Sequence, residues 1–298
     1  MDFPIVNCAR PKVIKFSPKT FRVLKKTWQA VVVSDTQIGY LQDPETKVIE
    51  PIHDPEAMRI AKYVCMDVSP RELYFIGDWM DWPFLSRYTQ HEEYDAVNES
   101  IREGYDQLCS FISAAGPQLT KKIMIGGNHD IRPEKFLLEH NRKAMRVKRA
   151  GDTWPVFSQQ FLLRYDELGI TTPGYYPGGE YYVLPDLILT HAPPKAHEFQ
   201  ASVIHGHLHK VERHARVQHG LDVRHTYFTY DIGCLCQTGT SSNPYRLMGT
   251  RVPSDRPRTD WSQGFAVINV VDGEIPIHSV DQISIVNHKA IYQGKLYE

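Results

Sequence analysis

The stretch VVVSDTQIGY, residues 31–40, runs a set of β-branched apolar residues into a carboxylate, Asp35, with an amide, Gln37, two residues on. Such a run reads as a buried strand, so the polar pair lies just past a strand end. Four later segments repeat the layout. ELYFI leads to Gly77, Asp78 and Asp81. KIMIG leads to Gly127, Asn128, His129 and Asp130. LILT leads to His191, and ASVI leads to His205, Gly206, His207 and His209. In open α/β sheets, functional residues gather beyond the carboxyl ends of the strands. The residues delivered here are Asp, Gln, Asn and His. These are oxygen and imidazole donors with no thiolate, a set suited to Mn²⁺, Fe or Zn²⁺ rather than an iron–sulfur cluster. Singly, a strand-end Asp is usually a turn or helix cap. GNHD is sharper, because four consecutive turn-compatible residues rarely include a histidine by accident, and GHLH is sharper still, because two histidines at i and i+2 after a strand can face one centre. His205 falls out of that phase and reads as a packed or hydrogen-bonded histidine.

With 298 residues, 42% hydrophobic and 23% charged, the chain can bury a sizeable core in one or two domains. The 34 Lys plus Arg balance 35 Asp plus Glu, so overall charge selects no polyanionic, acidic or membrane partner. The cysteines stand at 8, 65, 109, 234 and 236, an odd number without a CxxC pair. They read as free thiols of a reducing compartment. No apolar run approaches the ~20 residues of a membrane helix, and no signal-peptide core opens the chain. A cytoplasmic location without membrane contact is the expectation.

Along the chain, residues 1–29 read as a leader or edge segment and 30–298 as one domain. Residues 54–67 have helical spacing, with Asp54 as N-cap and Pro55 in the first turn. Residues 92–115 form an amphipathic helix stopped by Gly116-Pro117, and 133–149 also read as helical. A Tyr-rich hairpin is expected at YYPGGEYYV, and later strands at 226–232, 265–271 and 275–286. Strands and helices alternate early and strands dominate late, which predicts an α/β domain with two packed sheets.

The ordered set D-x-Q, GDxxD, GNHD, H, GHxH resembles the calcineurin-like metallophosphoesterase superfamily, over residues 30–209 and more loosely to the C-terminus. Four of its five motifs match; the departure is Gln37, where most members have His. The nuclease-type and phage- or plasmid-borne members are the most similar in flavour. The resemblance implies a four-layer αββα sandwich of two mixed sheets, with an insertion near 131–185 shaping the substrate cleft. It also implies two divalent metal ions, Mn²⁺ foremost, with Fe, Zn²⁺ and Mg²⁺ as alternatives. Asp78 would bridge them. Asp35, Gln37 and His209 would complete one site, and Asn128, His191 and His207 the other. A bridging hydroxide would attack phosphorus in line. His129 would protonate the leaving oxygen, with Asp130 holding its ring. Asp81 would support the bridging loop or orient a neighbouring ligand. Gln37 offers a carbonyl oxygen in place of imidazole nitrogen. It either ligates directly, or holds a water in the ligand's place, or marks a decayed site.

Three features bear on substrate. Arg142, Arg146 and Arg149 fall at i, i+4 and i+7, one face of the expected helix, beside Lys143 and Lys148. They read either as a solvated face or as a track for a phosphate backbone. The stretch 237–264 reads as a lid with Arg246, Arg251, Arg256 and Arg258, or as a surface loop. Trp79, Trp82, Tyr175, Tyr176, Tyr181 and Tyr182 could stack bases, though such rings more often pack. The leading expectation is a phosphodiesterase acting on nucleic acid. A nucleotide-level phosphatase or diesterase and a non-catalytic scaffold are the alternatives. Nuclease-type relatives also imply a homodimer, for which no stretch marks an interface.

Overall fold

In the computed structural model, residues 27–42, 46–85, 96–174, 176–194, 199–219, 224–238 and 261–298 are described. The two-residue period of a strand decides the layering. In β1 (Thr27–Val33), Val31 and Val33 face one way and Ala30 and Val32 the other, and both sets are buried. Strands β4 (Glu72–Ile76) and β5 (Lys121–Ile125) repeat the division, with Leu73, Phe75 and Met124 on the first face. Tyr74, Ile76, Ile123 and Ile125 lie on the second. A strand buried on both faces reads as a continuous apolar run, as in VVV and ELYFI.

β1 pairs in parallel with β4, and β4 with β5. On its other edge β1 pairs antiparallel with β11 (Gln263–Val271), which pairs with β12 (Ile277–Ile285). This mixed sheet runs β12-β11-β1-β4-β5. A second mixed sheet is built from β6 (Glu180–Leu184), β7 (Leu187–Thr190), β8 (Ser202–His205), β9 (Val211–His219) and β10 (Arg224–Ile232). Its strand order is β6-β7-β8-β10-β9. Leu187, Leu189, Ile204 and Ile232 of this sheet meet Ala30, Val32, Tyr74 and Ile76 of the first in one core cluster, the interior of the sandwich. Small hairpins β2 (Tyr40–Gln42)/β3 (Ile49–Pro51) and β13 (Ala290–Tyr292)/β14 (Lys295–Tyr297) complete the strands.

Helices α1 (Pro55–Val68) and α2 (Val97–Ala115) cover the outer face of the first sheet. Asp54 caps α1 by accepting from the Glu56 and Ala57 N–H groups at 3.0 and 3.1 Å. Phe111 of α2 packs edge-on against Phe75 and Trp79, with centroids 5.9 and 6.1 Å away. The outer face of the second sheet carries a smaller cluster of Ile188, Ala201 and Val203 with Phe199, and among the described residues no helical one belongs to it.

Several expectations are corrected. The helix expected at 133–149 is α3 (Arg132–His140), ended by Asn141, whose backbone leaves the helical region (φ −152°, ψ 72°) and whose side chain accepts from the Ala144 N–H at 3.3 Å. A 3-10 turn, Ala144–Arg146, and non-helical chain follow, so Arg142, Arg146 and Arg149 share no helix face. Arg142 donates to the Leu138 carbonyl at 3.1 Å, and Arg149 pairs with Asp152 at 3.0 Å. The Tyr-rich hairpin turns at Pro185-Asp186 instead of at Gly178-Gly179, and Tyr175 lies outside the described residues. Strand β9 was not expected. Its sequence VERHARVQH is too charged to read as buried, and it pairs with β10 alone, at the sheet edge. Residues 239–260, with their four arginines, and 1–26 lie outside the described residues.

Phe111→Ala is expected to cost about 3–5 kcal/mol by opening a cavity between α2 and the sheet. Urea unfolding measures it, and a loss under about 1 kcal/mol would show that this ring does not anchor the helix.

Candidate metal centre

Parallel strands β1, β4 and β5 end at one edge, and β7, β8 and β10 deliver their ends beside them. The loops beyond are tied by backbone. The N–H groups of Asp35, Gln37 and Ile38 donate to the carbonyls of Gly77, Asp78 and Trp79 at 3.1, 2.9 and 2.8 Å. The Leu235 N–H donates to the Asp35 carbonyl at 3.1 Å, and the Gly206 N–H to that of His191 at 3.2 Å. Asp35, Gln37, Asp78, His207 and His209 all have left-handed backbone, with φ between 47° and 73°. Each such non-glycine residue costs about 1–2 kcal/mol, and strain of this kind clusters where geometry serves function.

Two glycines set how closely the loops approach. A Cβ on Gly206 would overlap Ser34 Oγ and Asp35 Oδ2, and one on Gly127 would overlap the Asp78 carboxylate and backbone nitrogen. Ser34 Oγ donates to Asp35 Oδ2, which also accepts the His207 N–H at 2.9 Å. The His129 N–H donates to Asp78 Oδ1 at 2.8 Å.

The side chains converge in two groups. Around His191 Nε2 lie Asn128 Oδ1 at 3.2 Å, His207 Nδ1 at 3.3 Å and Asp78 Oδ1 at 3.4 Å. Around His209 Nε2 lie Asp35 Oδ1 at 3.0 Å and the Gln37 amide nitrogen Nε2 at 3.4 Å. Asp35, Gln37, Asp78, His191 and His209 are all buried. His191 Nδ1 stands 2.9 Å from the Ile76 carbonyl. Donation of its N–H to that carbonyl leaves Nε2 aimed at the group.

Electrostatics show what such a set lacks. Burial disfavours charge on His191, but the Asp78 carboxylate outweighs it and pushes the imidazole up to about 10. His209 is pushed up to about 10 against the same burial, by Asp35. Asp78 is held far below the usual carboxylate range: burial opposes this, and His191 and His129 bring it about. Buried carboxylates here are neutralised by protons on imidazoles, in the place a cation would take. Acceptor oxygens and imidazole nitrogens facing one another at 3.0–3.4 Å are a donor set that fits hard or borderline divalent cations.

His129 sits at the rim, its Nε2 3.8 Å from Asp78 Oδ2. The partner of its ring is corrected: Asp81 Oδ1, at 2.7 Å from Nδ1, holds it, and Asp130 does not. Asp130 turns inward, accepting the Gly127 N–H at 2.8 Å and the Met80 N–H at 3.1 Å. It ties the loops after β4 and β5 together. Arg132 was missed from the sequence. Its Nη1 donates to the Asp81 carbonyl at 2.5 Å, and its Nη2 lies 3.1 Å from His129 Nε2. Trp79 and Trp82, 1% exposed, are core: their indole N–H groups donate to the Gly104 carbonyl and to Gln159 Oε1. The five strand ends deliver no thiol, but Cys234 and Cys236, just past β10, stand beside His209.

Beneath Asp130 a cavity of about 10 Å³ is lined by Glu134, Gln160 and Thr172, each with an unpartnered buried oxygen. Burial pushes the Glu134 carboxyl up to about 7.

No family model matches the chain. The Gene 54 protein of Mycobacterium phage D29 is 27% identical over 197 residues, covering 60% of this chain and 68% of that protein. Among solved structures, Yfce, a phosphoesterase from E. coli, is 12% identical with a TM-score of 0.36, over 85% of this chain and 98% of that one. TT1561 of Thermus thermophilus is 12% identical with a TM-score of 0.30, over 72% and 92%. At these TM-scores neither likeness carries an argument about this chain. No described helix is long and apolar enough to cross a membrane.

Gly206→Ala is expected to lower divalent-metal affinity by about 10–100-fold, and stability by about 1–3 kcal/mol. Calorimetric Mn²⁺ titration of the apo-protein checks the first; unchanged affinity would mean that the loop approach does not set the donor geometry. For Glu134 the unfolded carboxyl titrates near 4.5 and the folded one near 7. Between those values the unfolded chain releases a proton that the folded chain keeps, so stability falls as pH rises from about 4.5 to about 7. Glu134→Gln should match the parent at pH 4 and exceed it by about 1–3 kcal/mol at pH 8, in chelator. Equal pH profiles would show that Glu134 titrates normally.

Proposed function

We propose that the chain is a metal-dependent phosphoesterase, with Asp35, Gln37, Asp78, Asn128, His191, His207 and His209 holding two divalent cations. One observation carries the reading. Donors from the ends of five strands meet in two groups, and a histidine that belongs to neither stands at the rim with its Nε2 toward Asp78. Divalent cations held there offset phosphate charge and lower the pKa of bound water.

The chain's own residues do the rest. His129 Nε2 faces the Arg132 Nη2 donor at 3.1 Å, and it would carry the proton for the leaving oxygen once that guanidinium turns to the phosphate. Asp81 accepts the Nδ1 proton, which aims Nε2 outward and stabilises the ring when charged. Burial works against a charged ring, but Asp78 and Asp81 together raise the His129 pKa above the ordinary imidazole value, which favours the acid form. Arg132, anchored on the Asp81 carbonyl, places a guanidinium beside Nε2, where it would meet a non-bridging phosphate oxygen. Gln37 is 5% exposed with its amide Nε2 3.4 Å from His209 Nε2; turning the amide over brings Oε1 to that position, from which it would ligate or hold a water. An amide oxygen there makes a harder site than imidazole would, which favours Mn²⁺ or Mg²⁺ over Zn²⁺.

The substrate proposed first is a phosphodiester of nucleic acid, supported by the exposed basic residues Arg142, Lys143, Arg146, Lys148 and Arg149 after α3. A nucleotide-sized ester is the second reading. It is favoured by the break after His140, which scatters those arginines, and by the near-balanced net charge.

The test is hydrolysis with Mn²⁺ of end-labelled single- and double-stranded DNA and RNA, beside nucleoside monophosphates and a generic diester. Polymer cleavage that falls about 10²–10⁴-fold in His129→Ala is the expected result. Turnover of small esters alone would replace the first substrate with the second. No turnover in either arm, with metal bound, would overturn the enzyme.

A further inference from the structure

The sixth strand end is β10, and the chain beyond it runs Gly233, Cys234, Leu235, Cys236. The ligand atoms of Cys234, Cys236 and His209 lie within 4.8 Å of one another, and all three residues are buried. His209 uses Nε2 toward Asp35 and Gln37. Its Nδ1 is buried with no conventional hydrogen-bond partner, and the Cys236 thiol lies beside it. A ligating histidine ordinarily gives its second nitrogen to a carboxylate, a backbone carbonyl or a water. Here it meets sulfur, on a residue 3% exposed.

We propose that Cys234, Cys236 and His209 Nδ1 form a second, thiophilic metal site of the Zn²⁺ class, behind the centre described above. Cys234 and Cys236 stand in isolated bridges on either side of a bend at Leu235, and this turn of the chain brings both sulfurs to one point with His209. Zn²⁺ binds thiolate sulfur at about 2.3 Å and imidazole nitrogen at about 2.0–2.1 Å, so three such donors need only close by about 1 Å from the present spacing. The Ser262 carbonyl, 3.6 Å from Cys234 Sγ, borders the cluster, and the Trp261 ring packs on His209 with centroids 3.9 Å apart. Two thiol protons and the His209 Nδ1 proton leave to solvent as two metal–sulfur bonds and one metal–nitrogen bond form; with a cation on Nε2 as well, the ring would bridge as imidazolate. A weak thiol contact from Cys236 is the only partner of Nδ1 among the described residues, where a buried imidazole nitrogen ordinarily has a strong one, and a metal held between nitrogen and sulfur would satisfy all three atoms. Mn²⁺ and Mg²⁺ prefer oxygen donors and would stay on the Asp35 side, so one imidazole separates two metal chemistries.

The site does not rest on the phosphoesterase reading, and its test needs no substrate. Reduced, metal-stripped full-length protein is titrated with Co²⁺ as a spectroscopic stand-in for Zn²⁺. The expected result is a thiolate-to-cobalt charge-transfer band that saturates at one equivalent, is displaced by Zn²⁺ and survives excess Mn²⁺. Cys234→Ser and Cys236→Ser should each abolish it, and Asp78→Asn should keep it. X-ray absorption on the Co²⁺-loaded parent counts sulfur neighbours without any variant. No charge-transfer band and no sulfur neighbour at saturating Co²⁺ would overturn the site, as would a band that persists in both serine variants. A band without hydrolysis sinks only the enzyme reading, and hydrolysis without a band sinks only this one.

Discussion

The closeness of the loops beyond β1, β4, β5 and β8 is the constraint on which the strand-edge site depends. Four backbone hydrogen bonds hold the Asp35 loop between the Gly77–Trp79 segment and Leu235. Gly206 and Gly127 let carboxylates occupy the volume that a Cβ would need. The cost is visible as five left-handed non-glycine residues. Strain of about 1–2 kcal/mol at each persists only because the surrounding sandwich, buried on both faces of the first sheet, over-determines the loops.

That approach brings Asp35 and Asp78 together in a buried setting. Two such carboxylates cannot stay ionised without compensating positive charge. Protons on His191 and His209 supply it here, and a divalent cation would supply it with better geometry for every donor. The same logic explains why Asp130 and Glu134, without a cationic neighbour, rise toward neutral pH: to about 6 and about 7, burial being the first cause of each. Carboxylates gathered around one site therefore show both extremes of behaviour, decided by what faces each group.

Much of the architecture was legible because the strands are buried on both faces and so form unbroken apolar runs, each closed by polar residues. The helix at α1 was legible from Asp54 and Pro55, a cap and a first-turn proline that act locally. Where reading failed, the deciding contact was distant in sequence or the pattern was weak. Strand β9 is a charged edge strand, held by pairing to β10 rather than by burial. The helix expected to run on to residue 149 ends at Asn141, a local exit that apolar spacing does not register. Asp81 and Asp130 are equally placed in their motifs, and only the fold shows which carboxylate reaches the His129 ring. The Trp79 and Trp82 rings look available in sequence and are sealed by α2 and Gln159.

By itself the sequence determined that metal-competent residues stand at five strand ends, because residue type and strand termination are local properties written in order along the chain. Tertiary structure alone decided which donors share a point, which acid orients His129, that Arg132 stands beside it, and that a sixth strand end sets two thiols behind His209. Those are distances between segments up to about two hundred residues apart, and they follow from how two twisted sheets pack, a geometry that no stretch of chain contains alone.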